Sequence, residues 1–235
     1  MNKGRPEFKE FKDSATLGAV LAAQIAQLLR AGIRERGKAS LLVSGGSTPV
    51  PFFAALSELT LDWKQVTITL ADERWVDPAA ADSNEHLVRQ HLLQNRAAAA
   101  RFVGLKTAAA TAVQGEKECT DRLALLPRPF DVLILGMGND GHTASLFPQA
   151  ARLGEALALD SGQLCMAINP PAAPHERMTL TLPALLQSRR IILHLVGPGK
   201  RDVYERALAN GPVAEMPIRA VLGQTTSPVT VFWAP

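Results

Sequence analysis

Cysteine and aromatic residues are scarce in this sequence, and their scarcity excludes several classes of protein. Two cysteines in 235 residues, Cys119 and Cys165, do not make a disulfide scaffold. Cys165 lies between apolar residues and unpaired cysteines are commonly buried, so we expect buried free thiols. Aromatic residues are 5% of the chain, and lysine and arginine are scattered without a dense run. The basic stripe with stacking aromatics that is typical of nucleic-acid binders is therefore missing.

Long uncharged apolar runs are also missing. No such stretch reaches the ~20 residues that a membrane-spanning helix needs. The first residues, MNKGRPEFKEFKDS, alternate charge with phenylalanine and do not resemble a signal peptide. We therefore expect one domain over residues 1–235, located in the cytoplasm, with no membrane or nucleic-acid partner. The net charge of +3 suits a small anionic substrate.

Strand-like and helix-like segments alternate along the chain, beginning with a helix between a cap at Asp13 or Ser14 and a stop at Gly37. Several strand-like runs are apolar on both faces, as buried parallel strands are. The pattern predicts an α/β fold with a doubly wound, mostly parallel sheet, helices on both faces, and ligand loops at the carboxyl ends of the strands. The clearest predicted strands are 40–44, 66–71, 131–136, 163–168, 177–182, 190–197 and 229–234.

A glycine-rich loop follows the strand that begins at Asp131, in the stretch DVLILGMGNDGHTASLFP. Its Gly-x-Gly-x-x-Gly spacing matches the dinucleotide-binding fingerprint, which also needs a long helix at the third glycine and a second strand ending in an acid. Pro148 lies seven residues after Gly141 and would interrupt that helix. Asp160 lies at about the distance where the acid of the second strand would be, but the stretch before it is a poor strand. The sequence therefore argues against a nicotinamide or flavin cofactor.

The same loop carries His142 and, two residues earlier, Asp140. Histidine is the side chain suited to proton transfer near neutral pH, and a neighbouring carboxylate can orient it. A turn capped by Asp140 beside an exposed His142 is an equally simple interpretation, and these residues alone leave both open.

Polar residues follow other predicted strands too. Glycines and hydroxyls between a strand and a helix can hold an anion, and a lysine entering a helix can reach a phosphate. Each feature also has an ordinary explanation as a capped turn or a solvated strand end. Because the carboxyl ends of the strands share one edge, together they predict a site for a phosphate-bearing small molecule beside His142. The residues are Gly45, Gly46, Ser47 and Thr48 after the first strand, Asp72 and Arg74 after the second, and Lys200 after the sixth.

Five stretches, taken in order, resemble the 6-phosphogluconolactonases from about Ser40 to the C-terminus: SGGSTP, ADERWV followed by DSNEHLV, LGMGNDGHTASLFP, RMTLTLPALL and VGPGK. The resemblance implies the fold of the glucosamine-6-phosphate deaminase and 6-phosphogluconolactonase superfamily. It also implies hydrolysis of 6-phospho-D-glucono-1,5-lactone to 6-phosphogluconate in the oxidative pentose phosphate pathway, without metal or cofactor.

The resemblance further implies roles for individual residues. His142 would be the general base, assisted by Asp140, and Arg74 would lie in the substrate site. The phosphate end would be held by residues 45–48, Lys200 and Arg177, and Asp72 would be a further substrate contact.

Two alternatives keep the same phosphate loops. A glucosamine-6-phosphate deaminase or isomerase would resemble GHIAFNEP where this chain has GHTASLFP, and the acid of that motif is Phe147 here. A non-catalytic sugar-phosphate sensor could lose the base, whereas His142 and Asp140 are both present.

A covalent route through Ser145 is less favoured because no third partner is visible. We expect a monomer or a weak homodimer.

Overall fold

The computed structural model describes residues 5–171 and 173–235, and its centre is a seven-stranded parallel sheet. The strands are β1 (Glu7–Glu10), β2 (Ala39–Val43), β3 (Val66–Leu70), β4 (Asp72–Arg74), β5 (Arg101–Val103), β6 (Val132–Leu135), β7 (Cys165–Ile168), β8 (Arg177–Leu180), β9 (Ile191–Val196) and β10 (Val229–Ala234). The order in the main sheet is β1-β10-β9-β6-β2-β3-β5. Neighbouring strands β9, β6, β2 and β3 send their loops to the same carboxyl edge, as the sequence predicts.

A second, smaller sheet lies at that carboxyl edge, where β4, β8 and β7 pair antiparallel. The sequence pattern does not distinguish this sheet, because Asp72–Arg74 looks like the charged end of β3, and β7 and β8 look like further strands of the main sheet. In the structure β4 pairs with β8 so that Arg74 lies opposite Arg177. The small sheet therefore joins two parts of the chain that are distant in sequence.

Helices cover both faces of the main sheet, and the first of them has the predicted ends. The Asp13 carboxylate accepts a hydrogen bond from the Thr16 backbone N–H at 2.7 Å, and Gly37 closes the helix in the left-handed conformation. The helices are α1 (Ser14–Arg36), α2 (Val50–Ser57), α3 (Asn84–His91), α4 (Ala112–Ala124), α5 (Leu153–Leu157), α6 (Leu182–Leu186), α7 (Pro198–Leu208) and α8 (Ile218–Leu222).

The core consists of the apolar strands and the helix faces that cover them. Every residue of β2, β6, β7 and β8 is buried, as expected for strands packed on both faces. Helix α1 is long and apolar enough to pass as a candidate membrane span by length and composition, but core helices pass the same test. Its apolar face packs against α2, β2 and β10. Cys119 and Cys165 are buried free thiols, as predicted.

Candidate active site

A cavity of about 360 Å³ opens at the carboxyl edge of the main sheet, where the loops after β2, β6 and β9 meet the small sheet. It brings together most of the residues that the sequence singled out. Ser47 and Asp140 do not line it: Ser47 is exposed, and Asp140 lies behind His142. The predicted residues in its wall are Gly45, Gly46, Thr48, Asp72, Arg74, His142, Arg177 and Lys200.

His142 is held by Asp140 through two hydrogen bonds. The Asp140 Oδ1 atom lies 2.6 Å from His142 Nδ1 and accepts the His142 backbone N–H at 3.1 Å. Burial acts to raise the pKa of Asp140, but these bonds and the attraction of the imidazole outweigh it, and the pKa lies below its usual value. A carboxylate at this distance assigns a proton to Nδ1 and leaves Nε2 as the basic nitrogen.

Two glycines allow the loop to bring these groups together. A Cβ atom on Gly138 would lie 2.1 Å from His142 Nδ1, so any larger residue would displace the ring. Gly141 has a φ of +81°, a left-handed conformation that favours glycine. The Gly138 N–H also donates to the His142 carbonyl at 2.8 Å and closes the turn. The glycines at positions 138 and 141 therefore allow the loop to hold His142 against Asp140; we call residues 136–142 the histidine loop.

Phe147 packs directly against the candidate base. Its ring centroid is 4.2 Å from that of His142. The Arg177 guanidinium also contacts Phe147 and lies 5.8 Å from the centroid of the Phe147 ring. Phe147 is largely buried. The residue that occupies the acidic position of the deaminase motif is thus an apolar support for His142.

Asp72 and Ser145 form a buried hydrogen bond beneath the cavity. The Ser145 hydroxyl donates to Asp72 Oδ2 at 2.6 Å, and Ser145 has no exposed surface. Its hydroxyl is therefore committed to Asp72 and is not presented to a substrate, which argues against a serine nucleophile. The bond instead ties the chain just after the histidine loop to β4.

Glu73 anchors β4 to the start of α3. Side chains alternate along a strand, so Asp72 and Arg74 face the cavity while Glu73 points the other way. Its carboxylate accepts the backbone N–H groups of Arg74 and Asn84 at 2.7 Å and of Glu85 at 2.8 Å. Burial raises the pKa of Glu73 against the effect of these bonds. In the sequence Glu73 is visible only as a charged residue at the end of a predicted strand.

Arg74 and Arg177 place two positive charges opposite each other in the cavity wall. Each is hydrogen-bonded to a backbone carbonyl, Arg74 to Asp82 at 2.8 Å and Arg177 to Pro174 at 3.1 Å. Arg177 is buried, and its Nε atom has no hydrogen-bond partner among the described residues. Burial, followed by the repulsion of Arg74, lowers the pKa of Arg177. Such a pair is suited to an anion.

Lys200 lies at the other side of the cavity, at the start of α7. Its ammonium donates to the Met137 carbonyl at 2.8 Å and to Asn139 Oδ1 at 2.7 Å. Burial lowers its pKa, and the negative charge of Asp140 opposes that change. Lys200 therefore braces the histidine loop as well as adding positive charge to the cavity.

Comparison with known proteins places this geometry in a family. The family model described as glucosamine-6-phosphate isomerases/6-phosphogluconolactonase matches residues 12–233. The chain belongs to this family. A 6-phosphogluconolactonase of Rhizobium meliloti is 45% identical over 225 residues, which cover 96% of this chain and 97% of that protein. One from Pseudomonas putida is 45% identical over 226 residues, 96% of this chain and 92% of that protein.

A solved structure of a family member agrees with the fold throughout. The crystal structure of a 6-phosphogluconolactonase from Shewanella baltica superposes with a TM-score of 0.97 at 52% identity and covers 99% of both chains. The shared architecture therefore includes the small sheet and the loops that form the cavity.

Within this family fold, no group of three or more His, Cys, Asp or Glu side chains is arranged to hold a metal ion among residues 5–171 and 173–235. Glu73, Asn84 and Phe147, which support the site, and His194, which lines the cavity, were not assigned roles from the sequence. Their signal is burial next to the cavity, which becomes visible once the strands are paired.

Proposed function

We propose that this chain hydrolyses 6-phospho-D-glucono-1,5-lactone to 6-phospho-D-gluconate. The observation that carries the proposal is a histidine, held at Nδ1 by Asp140, in the same cavity as the Arg74–Arg177 pair. One part of the site suits a base for a water molecule, and the other suits a phosphate. The activity is that of the named relatives, which match the chain over nearly its whole length.

Lactone opening needs one base and no covalent intermediate. Nε2 of His142 removes a proton from a water molecule as its oxygen attacks the lactone carbonyl carbon. The protonated imidazole then returns the proton to the ring oxygen as the carbon–oxygen bond breaks. General-base catalysis of this kind contributes roughly 10²–10⁴-fold. Asp140, whose lowered pKa keeps it ionised, stabilises the imidazolium formed between these steps.

Charge develops on the carbonyl oxygen during attack, and hydrogen-bond donors stabilise it. Arg74 and backbone N–H groups of the cavity loops supply such donors. Arg177 and Lys200, with Gly45, Gly46 and Thr48 of the loop after β2, line the cavity and hold the phosphate. The phosphate acts as a remote handle that orients the reacting carbonyl.

The deaminase alternative is weaker because of Phe147. The acid of the deaminase motif would have to lie where this apolar ring packs on His142 at 4.2 Å between ring centroids. A buried phenylalanine cannot transfer a proton. The site therefore favours lactone hydrolysis over ring opening of an amino sugar.

The activity can be tested with freshly generated 6-phosphogluconolactone, whose spontaneous hydrolysis is the background. Purified protein should accelerate acid release far above that background, and glucosamine 6-phosphate should yield no ammonia. Ammonia release without lactone hydrolysis would support the deaminase function, and tight binding of the lactone without turnover would support a sensor.

The setting of the enzyme is a further part of this proposal. Residues 1–235 would act as one cytoplasmic domain in the oxidative pentose phosphate pathway, as a monomer or a weak homodimer without a cofactor. Size-exclusion chromatography with light scattering measures the oligomeric state.

A further inference from the structure

His194 is a buried polar residue in an apolar part of the central sheet, and the mechanism above does not use it. It lies on β9, where its register partner on β10 is Phe232, and its ring meets Phe52 of α2 edge-on at 6.2 Å between centroids. Only 4% of the residue is exposed, yet His194 is among the residues that line the active-site cavity. A leucine or phenylalanine would suit these neighbours better, so the imidazole at this position calls for an explanation.

A recess of the cavity lies beside His194, over Gly136. Leu193 of β9 pairs with Leu135 of β6, and continuing that register by one residue brings His194 next to Gly136. A Cβ atom on Gly136 would meet nothing within 4 Å, so the space above this glycine is open. The recess exists because a strand neighbour of His194 has no side chain.

Asn84 borders the cavity over the adjacent strand. Its Oδ1 atom lies 1.8 Å from where a Cβ on Gly45 would be, so the amide covers the chain that leaves β2. The Asn84 Nδ2 group donates to the Asp72 carbonyl at 2.8 Å, which fixes the amide. The described residues offer no partner to Asn84 Oδ1 or to His194 Nδ1, although both atoms are buried. Two polar side chains with unused hydrogen-bonding capacity therefore belong to the same cavity wall.

The chemistry of the recess suits a neutral polar group. Burial lowers the pKa of His194 to about 4, so its ring is uncharged at neutral pH. A neutral imidazole has one donor and one acceptor nitrogen. Because Nδ1 is enclosed, Nε2 is the nitrogen that a ligand in the cavity can reach. A phosphate would lack a countercharge here, whereas a hydroxyl can hydrogen-bond to Nε2 without bringing a charge into the recess.

We propose that the recess over Gly136 is a subsite for one ring hydroxyl of the sugar lactone, and that His194 is the residue that binds this hydroxyl. The inference rests on the proposed function, since it names which part of that substrate lies against β9. It assigns His194 to specificity and leaves proton transfer to His142.

The test compares four substrates: 6-phosphogluconolactone and its 2-, 3- and 4-deoxy analogues, each generated from the matching sugar phosphate. His194→Leu removes the hydrogen-bonding group, and His194→Gln keeps one at about the position of Nε2. Loss of a neutral hydrogen bond should lower kcat/KM of His194→Leu on the parent lactone roughly 5- to 10-fold. His194→Gln should retain most of the activity. On the one deoxy analogue that lacks the bound hydroxyl, wild type and His194→Leu should have equal kcat/KM.

A second variant keeps the test decisive if His194→Leu does not fold. Gly136→Ala adds a methyl group into open space at a residue without a positive φ, so it should fold and fill the recess. It should lower kcat/KM on the parent lactone and lose this effect on the same deoxy analogue. Gly154→Ala is the matched control, because Gly154 is equally open and lies in α5 away from the cavity.

The outcomes separate this inference from the proposed function. A wild type that does not hydrolyse the parent lactone refutes the function itself. An active wild type whose His194→Leu and Gly136→Ala variants lose the same factor on all four substrates, or lose nothing, refutes the hydroxyl subsite. An equal loss on all four substrates would indicate that His194 has a structural role or binds a water molecule.

Discussion

Replacing Arg177 by methionine should make the ligand-free protein more stable and the enzyme worse. Arg177 is buried, its Nε atom has no partner among the described residues, and Arg74 lies directly opposite it on β4. Like charges opposite each other in a sheet destabilise it, and an incompletely compensated buried charge adds to that cost. Methionine keeps a flexible apolar stem against Phe147. We expect the free energy of unfolding to rise by roughly 1 kcal/mol, which raises the Tm by about 2–4 °C.

The same change should reduce activity in a substrate-dependent way. A charge-assisted hydrogen bond to phosphate contributes about 1.5–3 kcal/mol, so kcat/KM on 6-phosphogluconolactone should fall roughly 10- to 150-fold. Unphosphorylated gluconolactone should be hydrolysed almost as well by the variant as by the wild type. Inorganic phosphate should raise the Tm of the wild type and have little effect on Arg177→Met.

Thermal unfolding with and without phosphate, together with kcat/KM on both lactones, provides the measurement. Arg101→Met is the control, since Arg101 is exposed at the start of β5. The reasoning is refuted if Arg177→Met is less stable than wild type without phosphate and if both lactones slow by the same factor. Arg177 would then be a structural residue of β8.

Four further predictions concern the base, the lysine, metals and pH. His142→Ala should lower kcat roughly 10²–10⁴-fold without unfolding the protein, and Asp140→Asn should lower kcat less. Near-normal turnover by a folded His142→Ala variant would show that His142 is not the base. Lys200→Met should slow both lactones, because Lys200 braces the histidine loop, and should slow the phosphorylated one more; equal slowing would leave only the bracing role. Prolonged chelation should leave activity unchanged, whereas activity lost and then restored by one added metal ion would contradict a metal-free mechanism. Burial lowers the pKa of His194 to about 4, whereas the same residue in the unfolded chain binds a proton below about pH 6.5. The free energy of unfolding should therefore fall by about 3 kcal/mol as the pH is lowered from above 6.5 to 4. Chemical unfolding of His194→Gln should lack this drop, and an equal drop in the variant would assign it to other groups.

The residues that follow the parallel strands were predictable from the sequence. Apolar runs such as 131–136 are typical of buried strands, and parallel strands share one carboxyl edge. That geometry alone predicts that His142, the glycine loop after β2 and Lys200 lie near one another, as the structure confirms. The periodicity also predicted α1, with a cap at Asp13 or Ser14, of which the structure has Asp13, and a stop at Gly37.

The small sheet was not predictable in the same way. Three residues of β4 are too few for a periodic pattern, and Asp72–Arg74 looks like a solvated strand end. Its pairing with β8 depends on contacts across about a hundred residues of chain, which no local pattern records. The opposition of Arg74 and Arg177 becomes visible only in the folded protein. The edge strand β1 was missed because charges interrupt its apolar residues.

The glycine spacing after β6 shows why a motif must be interpreted with its surroundings. In a dinucleotide site the second glycine lets the backbone approach a pyrophosphate. Here a Cβ on Gly138 would collide with the His142 ring at 2.1 Å, so the same absence of a side chain makes room for the candidate base. Gly136 leaves open the recess beside His194. The physical reason for each glycine is close approach, and the group that approaches decides the function.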